Sequence, residues 1–98
     1  MTPVRERFDL SGRVAVITGG AGLLGRQHAD AIAEAGGCPV IADLSGDAAE
    51  AAAAEITRAH GVQALGVRVD ITQKAEVDAM TNAVVAAFGR IDILINNA

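Results

Sequence analysis

The stretch Arg13–Gly25, RVAVITGGAGLLG, constrains the fold more than any other part of the chain. A short apolar run rich in β-branched residues is cut off by glycines, and helical spacing begins at once. Arg13 to Thr18, bounded by Gly12 and Gly19, predicts a buried strand. From Gly22, residues Leu24, His28, Ala31, Ile32 and Ala35 recur at helical spacing, with His28 at the edge of that apolar face. Gly36 and Gly37 then stop the helix, because glycine sits easily in the left-handed cap position. A strand that ends in a glycine turn and opens a helix aims that helix's free N–H groups and positive dipole end at one point. An anion is favoured there.

The same alternation runs on. Cys38–Asp43, CPVIAD, predicts a second strand with Pro39 at its start, where no ladder donor is lost. Asp47 with Glu50 resembles a capping box for a helix over Ala48–His60, with Ala52, Ile56 and Ala59 as its apolar stripe. His60 suits the negative end of that helix, and Gly61 stops it. Val62–Asp70 predicts a third strand, with Leu65, Val67 and Val69 alternating. Thr72 is the expected cap of a third helix whose core face is Val77, Met80, Val84 and Phe88, and Gly89 ends it. Arg90–Ala98 opens a fourth strand. The order is βαβαβαβ, and such an order means right-handed crossovers and a doubly wound parallel sheet of the α/β class. A run such as ILI, apolar on both faces, implies helices on both sides of that sheet. Residues 1–12 form a lead-in, pinned by Phe8 and Leu10, and residues 13–98 form the folded unit.

Ninety-eight residues suit one small domain or part of a larger one, and 51% apolar residues are enough for a packed core. A net charge of −4, with Lys74 the only lysine, argues against a nucleic-acid or anionic-membrane surface. The lone Cys38 excludes an internal disulfide and reads as a structural thiol. No run approaches the ~18 apolar residues of a membrane span, and the N-terminus lacks a signal-peptide core. The expected location is cytoplasmic. No residue is assigned to a metal.

The glycines have separate jobs in such a loop: a tight turn, a close approach of ligand to backbone, and close packing of helix on strand. GAGLLG, Gly20–Gly25, matches G-x-G-x-x-G in the required strand–helix context. Asp43 ends the second strand, 18 residues after Gly25, where a carboxylate meets a ribose diol and repels a 2′-phosphate. Neither the loop nor the LSG after Asp43 carries a cation, which favours NAD over NADP. A Walker loop is a poorer fit, because Arg26–Gln27 stands where Lys–Ser/Thr belongs. A methyltransferase of similar fold usually has an acid just before its glycine loop, where this chain has Thr18.

With TGGAGLLG after the first strand, VDIT (Val69–Thr72) after the third and NNA (Asn96–Ala98) ending the fourth, the chain resembles the N-terminal part of a short-chain dehydrogenase/reductase, a Rossmann-like fold. The resemblance implies that Asp70 contacts the adenine amino group, with the Ile71 backbone beside it. It implies that Asn97 lies against the adenosine ribose and that Asn96 ties the central strands. The candidate cofactor-binding residues are Gly19, Gly22, Leu23, Leu24, Gly25, Asp43, Leu44, Asp70, Ile71 and Asn97. The family's common loop, T-G-x-x-x-G-x-G, would place a glycine at Leu23. T-G-x-x-G-x-x-G, the extended-subgroup pattern, fits fully, with Gly19, Gly22 and Gly25, although the lead-in and NNA resemble the commoner subgroup.

The resemblance further implies hydride transfer between a nicotinamide and an alcohol or carbonyl substrate, with a tyrosine, a lysine four residues on and a serine as catalytic residues. The chain has no tyrosine, so no catalytic residue is assigned, and alone it is expected to bind cofactor without turnover. The fold is expected to be truncated after the fourth strand, leaving IDILI as an apolar edge that seeks a partner. A homo-oligomer is expected by analogy. The alternative is a non-catalytic nucleotide-binding or interaction module on the same scaffold.

Overall fold

The structure, a computed structural model, describes residues 8–97. Part of the lead-in, Met1 to Arg7, and Ala98 of the NNA motif lie outside the described residues. Four parallel strands, β1 (Val14–Thr18), β2 (Cys38–Asp43), β3 (Leu65–Arg68) and β4 (Ile93–Asn96), stand in the order β3-β2-β1-β4. Three helices connect them: α1 (Leu23–Glu34), α2 (Gly46–His60) and α3 (Lys74–Phe88). The predicted βαβαβαβ order and doubly wound parallel sheet are present.

Every residue of β1 is buried, because β2 and β4 flank it and helices cover both faces. Side chains alternate between two cores, as the two-residue period of a strand dictates. Ile17 and Ile41 face α1 and α2, packing with Ala29, Ala33, Ala49, Ala53 and Ile56. Val14, Val16, Val40 and Ala42 face α3, packing with Val69, Met80 and Val84. The predicted α3 face is the observed one, with Val77 and Phe88 half-buried at its margin. Cys38 is half-buried against this second core.

The face of α1 differs from the expectation. Its buried residues are Gly25, Ala29 and Ala33, whereas Leu24 and Ala31 are exposed and His28 is half-buried. The helix lies so close to the sheet that only small side chains fit beneath it, and small side chains carry a weak hydrophobic signal. Ala59 of α2 is likewise exposed, while Ala49 and Ala53 are buried.

The helix ends follow local chemistry. Gly36 at φ +93° ends α1, with its N–H on Ala33 O and the Gly37 N–H on Ile32 O, a Schellman pair. Ser45, rather than Asp47, caps α2: its Oγ accepts from Ala48 N at 3.2 Å, and the helix begins at Gly46. Gln73, rather than Thr72, precedes α3. β3 is shorter than expected and β4 starts only at Ile93. Pro39 is the second residue of β2, not its first. The Cys38 N–H points at β1, so the Pro39 nitrogen faces the other side, where pairing with β3 begins only at Val40.

Leu10 is tied down through its N–H to Ala35 O, but Phe8 is 71% exposed and pins nothing. At the opposite end of the sheet from the glycine loop, Asp92 accepts from Val14 N at 2.9 Å and from Arg90. Arg90, the Val14 N–H and Arg13 hold the Asp92 carboxyl below the usual carboxylate range. Beyond β1, β4 is a sheet edge with Leu94 66% exposed. Among the described residues no helix is long and apolar enough to cross a membrane.

Candidate functional site

The site forms at the carboxyl ends of the strands, where β1 hands the chain to α1 on one side and β4 lies on the other. In open α/β sheets this reversal of strand order leaves a crevice. Gly19 turns at φ +66°, a conformation that residues with a Cβ rarely adopt, and its N–H bonds to Ala42 O at 2.8 Å. A Cβ on Gly20 would meet Ile17 O and Ile41 Cγ2 at 2.9 Å, so the turn can press on β2 only as glycine. A Cβ on Gly25 would collide with the Gly19 carbonyl, so α1 can pack on the loop only as glycine.

Gly22 is different. It is the N-cap residue of α1, at φ −75° and ψ 171°, and a Cβ there would meet only the Gly19 carbonyl at an ordinary 3.4 Å. Nothing inside the described chain requires glycine at this exposed position, which leaves room for something outside it. The first intrahelical bond is Arg26 N to Gly22 O. Among the described residues no side chain caps α1 and its first turn carries no acid, so the N–H groups of Leu23, Leu24 and Gly25 are open to an anion. Leu23, 83% exposed, leaves that approach clear.

Asp43 closes the other side. Its Oδ2 accepts from Ala21 N at 3.2 Å and its Oδ1 from Ser45 N at 3.1 Å. The carboxylate therefore fixes the glycine loop against the end of β2, and each oxygen keeps a second lone pair for a donor. It is half-buried and bonded, unlike a freely solvated strand-end acid. Gly19, Asp43, Leu44, Asp70, Ile71 and Thr72 line one cleft of about 180 Å³. Asp70 Oδ1 accepts both the N–H and the hydroxyl of Thr72, at 3.0 and 2.6 Å. The Thr72 hydroxyl, then its N–H, lower the Asp70 pKa. Asn97 stands at the rim, its N–H on Thr18 Oγ1 at 3.1 Å and its Nδ2 3.5 Å from the Gly19 carbonyl. Thr18 Oγ1 donates to Asn96 Oδ1 at 3.2 Å, joining β1 to β4.

Of the ten candidate residues, Gly19, Asp43, Leu44, Asp70 and Ile71 line this cleft, Gly22, Leu23, Leu24 and Gly25 belong to the loop and the first turn of α1, and Asn97 reaches only Thr18 and Gly19. Two further residues, Gly20 and Glu76, stand outside those ten. Gly20 is fixed by its contact with β2, and only the pairing of β1 with β2 reveals that. Glu76, in the first turn of α3, reaches back so that Oε1 accepts Asp70 N at 3.1 Å and Arg68 Nη1 at 2.6 Å. Glu76 stands three residues beyond the Gln73 cap, but its carboxylate takes the Asp70 N–H, while the Gln73 N–H goes to Asp70 O. Arg26 pairs with Glu55 of α2 and so points away from the cleft.

Residues 13–98 match the family model described as short chain dehydrogenase. A D-threitol dehydrogenase of Mycolicibacterium smegmatis is 42% identical over 91 residues, 93% of this chain and 35% of the relative. The 7alpha-hydroxysteroid dehydrogenase of Escherichia coli K12 is 38% identical over 93 residues, 95% of this chain and 36% of the relative. The crystal structure of L-sorbose reductase from Gluconobacter frateurii, complexed with NADPH and L-sorbose, superposes with a TM-score of 0.88 at 37% identity. That match covers 93% of this chain and 35% of the reductase. The chain therefore spans little more than a third of the length of these three proteins.

Proposed function

The chain belongs to the short-chain dehydrogenase family, and on that premise we propose that residues 13–98 are the dinucleotide-binding part of an NAD-dependent oxidoreductase. Its reaction is hydride transfer between a nicotinamide and an alcohol/carbonyl pair. The single observation that carries the reading is Gly22: a glycine without an internal reason, at a helix N-terminus with three open N–H donors. A pyrophosphate satisfies all of these features together. Asp70 and Ile71 offer the cleft to the adenine, while Asp43, with spare lone pairs, suits a ribose diol. A 2′-phosphate there would face a carboxylate, which supports NAD over NADP.

When bound, the nicotinamide supplies the hydride acceptor or donor. This chain's own residues bind and orient the dinucleotide. Residues 13–98 contain no tyrosine, so no part of the family's tyrosine, lysine and serine chemistry is assigned to them. Titration of the full-length protein with NADH and NADPH, followed by nucleotide fluorescence, tests the reading. NADH is expected to bind more tightly, and Asp43→Ala to weaken it and narrow the difference. Tighter NADPH binding by the parent protein would overturn the role given to Asp43.

A further inference from the structure

We propose that Glu76 sets which dinucleotide the cleft accepts, by holding Arg68 away from its ribose end. This rests on the reading of the cleft as a dinucleotide site. Arg68 is the register partner of Asp43 across the β2–β3 pair. It lies on the face that carries α2, as Gly66 does two residues earlier, where a Cβ would meet the Ala49 backbone. Its stem passes beneath the turn that follows Asp43: a Cβ on Gly46 would be 3.1 Å from Arg68 Cβ and 3.7 Å from Cγ. The absence of a cation from the loop and from the residues after Asp43 is therefore only a fact of sequence. The fold brings a guanidinium stem to the same corner from β3.

The guanidinium head does not stay there. It turns over the end of β3 to α3, where Nη1 meets Glu76 Oε1 at 2.6 Å. The same oxygen accepts the Asp70 N–H, so Glu76 fixes both the cation and one wall of the cleft. The Arg68 side chain is 57% exposed on an edge strand, so the Glu76 pair rather than packing holds its head. With Arg68 bound to Glu76, a 2′-phosphate would meet Asp43 without a compensating cation. A released guanidinium could return along its own stem toward Gly46 and pair with a phosphate in the forked geometry that arginine favours. Glu76 is a positioning residue in this scheme, because it acts through Arg68.

The test is the ratio of NADPH to NADH dissociation constants in the full-length protein. Glu76→Gln keeps an acceptor for the Asp70 N–H but loses the ion pair. It is expected to lower the ratio by about fivefold, the scale of one partly screened ion pair. Adding Arg68→Ala to Glu76→Gln is expected to restore the parent ratio. NADPH affinity of Glu76→Gln should also weaken more steeply with salt than that of the parent. An unmoved ratio, or a shifted ratio that survives Arg68→Ala, overturns the proposal while the dinucleotide reading stands. A parent protein that binds neither nucleotide overturns both. Should Glu76→Gln fold poorly, Arg68→Ala in the parent background reports on the same corner: a ratio that stays at the parent value because Arg68 is already held away supports the clamp, and a large rise overturns it.

Discussion

Gly22 and Gly25 stand three residues apart in one loop, and the structure gives them opposite dependences. Gly25 is required by the molecule itself, since any Cβ collides with the Gly19 backbone. Gly25→Ala is therefore expected to cost about 1–3 kcal/mol of stability, as other overpacked sites do. In a domain of this size that is a melting temperature lower by at least about 4 °C. Gly22 has room for a Cβ, so Gly22→Val is expected to abolish nucleotide binding while costing only about 1 kcal/mol, the value of a lost N-cap preference. Leu23→Gly, at a side chain turned to solvent, should leave binding largely intact. Calorimetric melting and nucleotide titration of the same three variants separate the two kinds of glycine. Loss of binding in step with loss of melting at Gly22 would sink the distinction.

At the scale of elements, the joints between strands and helices carry most of the polar chemistry. Ser45 caps α2, Asp43 binds the glycine loop and Asp92 joins β1 to the Arg90 turn. Asp92 also gives the sheet a pH dependence whose sign is fixed. Its folded pKa is lowered, chiefly by Arg90 and then by the Val14 N–H. The contribution is therefore complete above the unfolded value of about 4 and fades as pH falls through the lower folded value. Asp92→Asn should melt lower than the parent at pH 7, and the gap should narrow as pH falls below about 4. Melting curves across that range check it. A gap that widens in acid contradicts the assignment.

At the scale of the whole fold, the described residues leave one face open. Val16, Met80, Ile91 and Leu94 are among the residues lining a groove of about 360 Å³ between α3 and the β4 edge. An apolar edge strand beside an uncovered groove favours association. The isolated 98-residue chain is expected to dimerise, aggregate or fold only marginally. Sedimentation velocity at several concentrations, with thermal melting, tests this. A monodisperse monomer with a sharp transition would refute it.

Much of this was legible because it depends on period and punctuation, which are local. Short β-branched runs, helical spacing and glycine stops determined the element order and the parallel α/β class. The strand–glycine–helix junction marked the uncapped start of α1, where we propose an anion is received, and the position of Asp43 after β2 marked the acid beside it. Three-dimensional proximity decided the rest. Which face of α1 is buried depended on how closely it approaches the sheet, so Gly25, Ala29 and Ala33 displaced the larger Leu24. Whether a given glycine serves the fold or a ligand depended on what its missing Cβ would touch. Arg68 lies far from Asp43 in sequence yet beside it in the sheet, and its charge is taken by Glu76 on another element. Charge and volume act through space, so only the tertiary structure could bring those residues into one account.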